Sequence, residues 1–388
     1  MSTATGIEWT ERVWNPVVGC TPVSPGCLNC YAATMARRLE GMGKPEYQPR
    51  EVPLTAKELR EAHAAVGGGK LHDHERVKEI RIAEVCGGRA VFTGDVRTVP
   101  DRLDVPLKRR TPTVWFVNSM SDLFHGAVPF EFIDRVFAVM ALCPQHTFQV
   151  LTKRPVRMAE YMTRRRVIYD GFSRKFGASK MEKSPCDDVY TIVRKHPGHE
   201  RDALIWPLPN VWLGTSVEDQ QRADERIPHL LRCPAAVRFL SCEPLLGAVD
   251  LSQWLWTMDG DRRHGRLNHL HWVITGGESG PKSRPCNVEW IRSIVTQCKA
   301  AGVPCFTKQL GAMPVVTDAE AVAIGNQWKA EGLTGRHYCG RGDGTFVLTL
   351  KDKKGGDPAE WPQDLRVREM PTIADAAGTP SAALENAA

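Results

Sequence analysis

Short apolar runs recur along the chain, and longer stretches with helical spacing separate them. This alternation is typical of a parallel sheet covered by helices. The runs predict strands at Ala90 to Thr93, Thr113 to Asn118, Phe148 to Thr152, Val211 to Thr215, Val237 to Ser241, Trp272 to Thr275 and Cys305 to Lys308. A further strand near Val17 brings the total to about eight. The pattern therefore predicts an α/β fold with a parallel sheet.

Polar residues follow nearly every predicted strand. They are Thr93-Gly94-Asp95, Asn118-Ser119, Thr152-Lys153-Arg154, Ser216 with Glu218, Cys242-Glu243, Gly276-Gly277-Glu278 and Lys308-Gln309. In parallel α/β sheets and barrels, the carboxyl edge is where ligand and catalytic sites are built. The repetition predicts one site at that edge.

Two segments interrupt the alternation. One, near 41–88, has helix-like charge patterning and a Gly67-Gly68-Gly69 run, and the other, near 164–209, is rich in Arg, Lys and His. Such segments are predicted to be insertions of loops or short helices. We expect one domain over 1–370, followed by a flexible Ala-, Pro- and Thr-rich tail over 371–388.

Composition narrows the class of protein. Apolar residues make up 42% of the 388 residues and charged residues 25%, which excludes global disorder. The chain has no apolar run of about 18 residues and no signal-peptide pattern at its N-terminus, so we expect a cytoplasmic protein without a membrane segment. In reducing cytosol, its 12 cysteines are expected to be thiols or metal ligands.

Three cysteines lie within eleven residues of a loop that contains proline and glycine. Cys20, Cys27 and Cys30 follow a Cys-X6-Cys-X2-Cys spacing, and a helix is predicted from Tyr31. Thiolates on one loop favour an iron–sulfur cluster or zinc, and three ligands leave one iron of a [4Fe-4S] cluster open to a cofactor. A structural zinc site completed by a distant ligand, or free thiols, are the alternatives.

Several segments besides the cysteine loop form a recognisable set. They are Gly6-Ile7-Glu8-Trp9-Thr10, Trp14-Asn15-Pro16, Val117 to Phe124, Leu151 to Pro155, Trp212 to Glu218, Phe239 to Leu245 and Gly276 to Gly280. With the cysteine loop, they resemble a phage-associated family of three-cysteine proteins related to radical S-adenosylmethionine enzymes. The resemblance covers most of the chain outside the two insertions and the tail. The wider superfamily usually has Cys-X3-Cys-X2-Cys with an aromatic residue before the last cysteine. This chain has Asn29 there and Tyr31 after it.

The resemblance implies a full or partial parallel (β/α) barrel of the radical type, with the cluster loop at its carboxyl mouth. It also implies a [4Fe-4S] cluster on Cys20, Cys27 and Cys30 that reductively cleaves S-adenosylmethionine to a 5'-deoxyadenosyl radical, which abstracts hydrogen from a substrate. A reductase or a flavodoxin-type protein is the implied electron donor. A further partner protein is an open alternative.

Other residues are candidates for holding the S-adenosylmethionine. Thr93-Gly94-Asp95 resembles the superfamily element after the second strand that receives the amino group, and a plain turn is the alternative. Lys153 or Arg154 suits the carboxylate, unless both are ordinary surface cations. Asn118 and Ser119 are candidates for the cofactor wall, with local turn bonding as the alternative. Ser216 and Glu218 are candidates for the ribose, unless Glu218 caps the next helix.

Three residues are candidates for the reaction itself. Glu243 and Glu278 follow two neighbouring predicted strands, and a carboxylate pair at one mouth suits substrate binding or proton transfer. The alternative is a structural ion pair with Arg284 or Lys308. Cys242 stands at a strand end from which a thiol can donate hydrogen, although buried free thiols are more common.

The substrate class is suggested by the resemblance and by charge together. The formal net charge of +6 decides nothing alone. With the basic 164–209 insertion and the phage association of the resembling family, it favours a nucleic acid base as substrate, for modification or lesion repair. Two other classes remain open: a non-catalytic nucleic-acid-binding protein stabilised by zinc or a cluster, and an enzyme in which Glu243 and Glu278 perform acid–base chemistry without radicals.

Overall fold

The computed structural model describes residues 5–65, 71–169, 180–200, 203–255 and 269–371. The expected tail lies outside these ranges except for residue 371. Part of the basic insertion, 170–179 and 201–202, also lies outside them.

Strands and helices alternate through most of the described chain. The strands are β1 (Arg12–Trp14), β2 (Val17–Val18), β3 (Arg50–Pro53), β4 (Val77–Ile80), β5 (Ala83–Cys86), β6 (Arg89–Phe92), β7 (Arg97–Thr98), β8 (Val114–Val117), β9 (Thr147–Thr152), β10 (Arg166–Tyr169), β11 (Lys180–Lys183), β12 (Val211–Ser216), β13 (Val237–Cys242), β14 (Trp272–Gly276), β15 (Cys286–Asn287), β16 (Cys305–Gln309), β17 (Pro314–Thr317), β18 (His337–Gly340) and β19 (Thr345–Thr349). The helices are α1 (Tyr31–Gly41), α2 (Ala56–Ala65), α3 (Phe130–Ala141), α4 (Pro155–Thr163), α5 (Pro185–Val193), α6 (Gln220–Leu231), α7 (Val288–Ala301) and α8 (Asp318–Ala330).

The central element is a seven-stranded sheet in the order β1-β8-β9-β12-β13-β14-β16. Every pairing in it is parallel, and spatial order follows chain order. Helices α3, α4, α6 and α7 lie in the connections between its strands. A parallel sheet wound in one direction and flanked by helices is a half-barrel, which confirms the prediction of a parallel α/β fold.

Two of the predicted strands lie outside this sheet. The strand near Val17 pairs antiparallel with β7, and the strand predicted at Ala90 to Thr93 forms the hairpin β5–β6. The first strand of the half-barrel is instead β1, which pairs with β8. Placing the Ala90 strand in the parallel sheet was wrong, because an apolar run looks alike in a hairpin and in a central sheet.

The two faces of the sheet pack differently. The outer face packs with the helices in the largest apolar cluster of the protein. The inner face carries a second, mostly aromatic cluster formed by Trp9, Phe116, Trp212, Val237, Phe239, Trp272, Ile274 and Phe306. Side chains two residues apart on a strand share a face. A residue two positions beyond one of these, toward the carboxyl edge, therefore also faces inward.

Smaller units surround the half-barrel. The hairpin β5–β6, at the end of the first insertion, packs against α1 in an apolar cluster that also contacts Cys20 and Cys30. A four-stranded sheet, β15-β17-β19-β18, follows near the C-terminus. Beyond it, Val367 and Glu369 exchange backbone hydrogen bonds with β16 and cover the last edge of the half-barrel. No helix in the described ranges is long and apolar enough to cross a membrane.

Candidate functional site at the cysteine loop

The cysteine loop connects β2 to α1 at the carboxyl edge of the half-barrel. A short 3-10 turn spans Pro25–Cys27, and Cys30 is the N-cap of α1. All three thiols are free and half-buried. The loop therefore presents three unpaired sulfur atoms beside the first strand of the sheet.

Burial governs the chemistry of two of these thiols. Burial and the nearby Asp122 raise the pKa of Cys20 to about 11, although Arg154 opposes the shift. Burial also raises the pKa of Cys30, against the backbone amides of Ala33 and Ala32 at the start of α1. Thiols that resist ionisation alone become thiolates when a metal binds, so a metal bound at this loop would displace their protons.

The donor set of the loop fits a thiolate-bound metal centre. Cys20, Cys27 and Cys30 lie on one short loop, and each is a free, half-buried thiol. Soft sulfur ligands select iron–sulfur clusters or zinc. Across the described parts of the chain, no group of three or more His, Cys, Asp or Glu side chains has the arrangement of a metal site. Binding would therefore have to draw the thiols together.

Glu218 holds the loop to the sheet. Its fully buried carboxylate pairs with Lys153 (2.5 Å) and Arg226 (3.0 Å), and it accepts a hydrogen bond from Ser24 Oγ (2.8 Å). Burial raises the pKa of Glu218, but Lys153 and Arg226 outweigh it and keep the pKa below its usual value. A Cβ on Gly26 would lie 2.5 Å from Glu218 Cγ, so the loop backbone rests directly on this side chain.

Glu218 is not the cap of the following helix. Asp219 caps α6 and accepts a hydrogen bond from the backbone N–H of Arg222 (2.9 Å). The carboxylate before it is therefore free to point toward the loop. Ser216 is buried at the end of β12, where its carbonyl accepts from Arg226 (2.8 Å).

Glu278 makes a second attachment to the loop. It forms an ion pair with Arg284 (2.6 Å) and accepts a hydrogen bond from Asn29 Nδ2 (2.9 Å). Arg284 also donates to the carbonyl of Pro25 (2.8 Å). Burial raises the pKa of Glu278, and the hydrogen bonds from Arg284 and Asn29 outweigh it and lower the pKa.

Arg154 makes the third attachment. Its guanidinium pairs with Asp122 (2.9 Å), donates to the carbonyl of Thr21 (2.7 Å) and lies 3.6 Å from the sulfur of Cys20. Asp122 also accepts from Thr152 Oγ1 (2.7 Å). Lys153 is thus engaged by Glu218, and Arg154 is engaged by Asp122 and by the loop.

His125 lies at the outer side of this attachment. Its Nδ1 accepts from the backbone N–H of Ala127 (3.1 Å), so Nε2 carries the proton and donates to Thr21 Oγ1 (2.9 Å). Burial, assisted by Arg154, lowers the pKa of His125. A neutral imidazole therefore contacts the same loop residue as Arg154.

Asn118 differs from its neighbours because its side chain is unsatisfied. It directly follows β8, has a φ of 63° and is 3% exposed. Neither its amide nitrogen nor its amide oxygen has a hydrogen-bond partner in the described residues. The adjacent Ser119 is engaged, since Ser119 Oγ donates to Asn15 Oδ1 (3.2 Å) and its carbonyl accepts from Tyr31 (2.9 Å).

Thr93, Gly94 and Asp95 pack against the backbone of the loop. The N–H of Gly94 donates to the carbonyl of Cys20 (3.1 Å). Asp95 is buried and paired with both Arg50 and Arg97. Thr93 hydrogen-bonds the backbone of the neighbouring hairpin. Two arginines already satisfy the carboxylate that we expected to receive an ammonium group.

Glu243 forms a separate pair. Its Oε1 lies 3.1 Å from Lys308 Nζ, and its Oε2 accepts from Ser241 Oγ (3.3 Å). The ion pairs of Glu243 with Lys308 and of Glu278 with Arg284 are the structural alternative that the sequence left open. The structure does not pair the two carboxylates with each other.

Cys242 points away from this edge. It belongs to the outer cluster between sheet and helices, whereas Phe239 belongs to the inner cluster. Burial raises the pKa of its thiol well above the usual value. The structure therefore brings Gly94, Arg154, Glu218 and Glu278 to the loop, and it leaves Cys242 in the helix-covered core.

Several contacting residues escaped sequence reasoning. They are Ser24, Asn29, His125 and Arg226. Ser24 and Asn29 lie inside the cysteine loop itself, and that position was the available signal. His125 and Arg226 gave none, because a single His or a helical Arg is common on any surface.

The fold and this edge together define a parallel half-barrel protein with a thiol-rich loop at the carboxyl ends of its strands. The chain belongs to a family described as "Protein of unknown function (DUF5131)", whose model matches residues 4–341. The matched range contains all seven strands of the sheet, the cysteine loop and its three attachments. No curated protein and no solved structure matches the chain.

Proposed function

We propose that this protein is an iron–sulfur enzyme that reductively cleaves S-adenosylmethionine to a 5'-deoxyadenosyl radical and abstracts hydrogen from a nucleic acid base. The observation that carries the proposal is the position of three free thiols on one loop, beside the first strand of a parallel half-barrel and at its carboxyl edge. That edge is where α/β proteins bind ligands. The proposal includes that the half-barrel is the partial (β/α) barrel of radical S-adenosylmethionine enzymes.

Cys20, Cys27 and Cys30 would hold a [4Fe-4S] cluster and leave one iron for the cofactor. When bound, the cluster supplies the electron that cleaves the sulfonium. An acidic, flavodoxin-type protein or a reductase is the proposed donor. The protein's own part is to fix the loop, which Glu218, Glu278 and Arg154 do through Ser24, Asn29 and Thr21.

The order of strands relocates the proposed amino-group site. In the resembling superfamily that element follows the second strand, and the second strand of this sheet is β8, not β6. Asn118 directly follows β8 and carries a buried amide with no partner in the described residues. Leaving such an amide unpaired costs about 1–3 kcal/mol. A ligand that offers both a donor and an acceptor, such as the methionine moiety, would recover this cost.

The nucleic acid part of the proposal draws on a basic groove on the helix-covered outer side of the half-barrel, where a phosphate backbone would bind away from the mouth. A cavity of about 470 Å³ between α4 and α6 is lined by Arg164, Arg165, His229 and Arg232, with Glu160 as its acidic residue. Asp134 and Asp188 pair with Arg164. Phosphates bind preferentially to arginine clusters, and such binding weakens as salt rises.

Anaerobic reconstitution tests the class. We expect iron and sulfide at cluster stoichiometry, an electron paramagnetic resonance signal that changes when S-adenosylmethionine is added, and 5'-deoxyadenosine after reduction with dithionite. Serine at Cys20, Cys27 or Cys30 should abolish all three, and serine at the exposed Cys86 should abolish none. Stoichiometric zinc without cofactor cleavage would instead support a metal-stabilised binding protein.

A further inference from the structure

Lys308 and Glu243 form an ion pair on the inner face of the half-barrel. Lys308 follows Phe306 by two residues on β16, and Glu243 follows Phe239 and Ser241 in steps of two past β13. Phe306 and Phe239 both belong to the inner aromatic cluster. Strand periodicity therefore directs the pair to the interior, above the aromatic layer.

The pair spans the sixth strand of the sheet. Strand β14 lies between β13 and β16, and its last residue, Gly276, lies under the pair. A Cβ on Gly276 would lie 3.2 Å from Glu243 Oε1 and 2.9 Å from the carbonyl of Gln309. A side chain at this position would press on the Glu243 carboxylate and on the backbone of Gln309.

This pair is separate from the attachments of the cysteine loop. Glu218 and Glu278 each contact a loop residue, whereas the described contacts of the Glu243 carboxylate are with Ser241 and Lys308. The backbone still places Glu243 near Glu218, because the N–H of Val217 donates to the carbonyl of Ser241 (2.9 Å) and the N–H of Leu246 donates to the carbonyl of Glu218 (2.8 Å). Lys308 is 22% exposed and Glu243 11%, which leaves the pair accessible from the mouth.

The pair also has unused hydrogen-bonding capacity. Within the described residues, Oε1 of Glu243 meets Lys308 as an ion pair but accepts no well-formed hydrogen bond. An ammonium has three donors, and a carboxylate accepts several hydrogen bonds. A flat group with an N–H beside a C=O matches both partners, because its N–H donates to Glu243 while its carbonyl accepts from Lys308.

We propose that Glu243 and Lys308 bind the lactam edge of a nucleobase, the N–H beside C=O that thymine, uracil and guanine present and that cytosine and adenine lack. The inference rests on the proposed function, because it names the substrate class at the mouth of the same half-barrel. A base that reaches this depth is single-stranded or flipped out of its helix.

The test measures base preference separately from cofactor chemistry. The reconstituted protein is titrated, at fixed salt, with short single strands of thymidylate or deoxycytidylate, and binding is followed by fluorescence anisotropy. We expect a preference of about tenfold or more for thymidylate, the usual effect of one well-placed pair of base contacts. A wild-type protein without base preference would overturn the inference.

The double variant Glu243→Gln/Lys308→Met keeps the net charge and removes the paired recognition. Its preference should fall to near unity while its affinity for deoxycytidylate stays the same. The matched control is Glu58→Gln/Lys78→Met, which removes a surface ion pair of the first insertion (2.5 Å) and should keep the preference. Lys308→Arg retains a cationic donor and should also keep it, and circular dichroism verifies the fold of each variant.

A cofactor-cleavage assay without nucleic acid tests the proposed radical function separately from the proposed base site. Cleavage by a wild-type protein that lacks base preference overturns this inference and leaves the proposed class standing. Base preference that depends on Glu243 and Lys308, without cleavage under dithionite, supports the base site and overturns the radical function. A double variant that keeps the full preference also overturns the inference.

Discussion

Arg154 Nη1 lies 3.6 Å from the sulfur of Cys20, and the same guanidinium bridges Asp122 and the carbonyl of Thr21. A cation from the end of the third strand of the sheet thus contacts the first candidate metal ligand. Hydrogen bonds to a ligand sulfur hold its orientation and tune the potential of the centre. Arg154 is therefore a positioning residue for the loop.

Replacing Arg154 should loosen the loop and weaken iron binding. Arg154→Gln removes the contact with Cys20 and leaves Asp122 without its cation. We expect the free energy of unfolding of the metal-free protein to fall by roughly 1.5 to 3 kcal/mol, the range for a hydrogen bond to a charged group. Urea unfolding measures this change, and iron per chain after reconstitution should fall with it.

Two further variants serve as comparisons for Arg154→Gln. Arg154→Lys keeps the charge but not the planar fork, so it should recover stability only in part. Arg165→Gln neutralises an exposed arginine of the neighbouring surface and should leave iron content unchanged. Equal iron content in Arg154→Gln and the wild type would show that the guanidinium does not support the centre.

Gly26 should tolerate no side chain. A Cβ there would lie 2.5 Å from both Cγ and Oε1 of Glu218, a side chain that Lys153 and Arg226 hold in place. Gly26→Ala should therefore cost about 1–3 kcal/mol, as overpacking usually does. It should also speed the reaction of the loop thiols with a disulfide reagent. Gly126→Ala is the control, since a Cβ there meets no atom within 4 Å.

Much of the fold could be predicted from the sequence. The apolar runs around Phe148, Val211, Val237, Trp272 and Cys305 are strands of the half-barrel, because a strand buried on both faces leaves an uninterrupted apolar signature. The shorter β1, Arg12–Trp14, escaped prediction since three residues carry no period. The sequence instead suggested a strand at the apolar run near Val17, and that run pairs with β7 outside the sheet.

The position of the site was predictable, but the partners within it were not. Strand ends indicated Lys153, Arg154, Glu218 and Glu278. The last three contact the cysteine loop, and Lys153 pairs with Glu218. Which cation pairs with which carboxylate depends on distances between strands that are far apart in sequence. The sequence therefore suggested ligand contacts for residues that hold the loop. The orphaned amide of Asn118 has no signature in sequence at all.

Acid should release the attachment at Glu218. Its pKa is lower in the folded protein than its ordinary value of 4.5, because Lys153 and Arg226 outweigh burial. A depressed pKa adds stability that is complete above the unfolded value and is lost as pH falls through the folded one. The stability difference between wild type and Glu218→Gln should therefore be largest near neutral pH and shrink below about 4.5. Urea unfolding across that range measures it, and a constant difference would contradict the assigned cause.

Cys242 should matter for packing and not for chemistry. Its thiol is buried in the outer cluster, away from the inner face. Cys242→Ala should lower the free energy of unfolding by about 1–2 kcal/mol, the usual cost of a small core truncation. Iron content and cofactor cleavage should match the wild type. If Cys242→Ala kept its iron but lost cofactor cleavage, the thiol would again be a candidate hydrogen donor.

Asn118 offers the sharpest separation of stability from binding. Its φ of 63° lies in the left-handed region, where glycine is at no disadvantage, and its buried amide has no partner within the described chain. Asn118→Gly therefore keeps the backbone and deletes the unsatisfied atoms. The metal-free variant should be at least as stable as the wild type, because burying an unpaired amide costs about 1–3 kcal/mol. If the amide contacts the methionine moiety, the affinity of the reconstituted protein for S-adenosylmethionine should fall about tenfold or more, for the loss of one or two buried hydrogen bonds. Calorimetric titration measures the affinity, and thermal unfolding measures the stability.

Ser119→Ala serves as the neighbouring control, since it removes a hydroxyl that bonds only Asn15 among the described contacts, and it should lower stability without this loss of affinity. A less stable Asn118→Gly variant with unchanged affinity would assign the amide to the fold and remove it from the cofactor site.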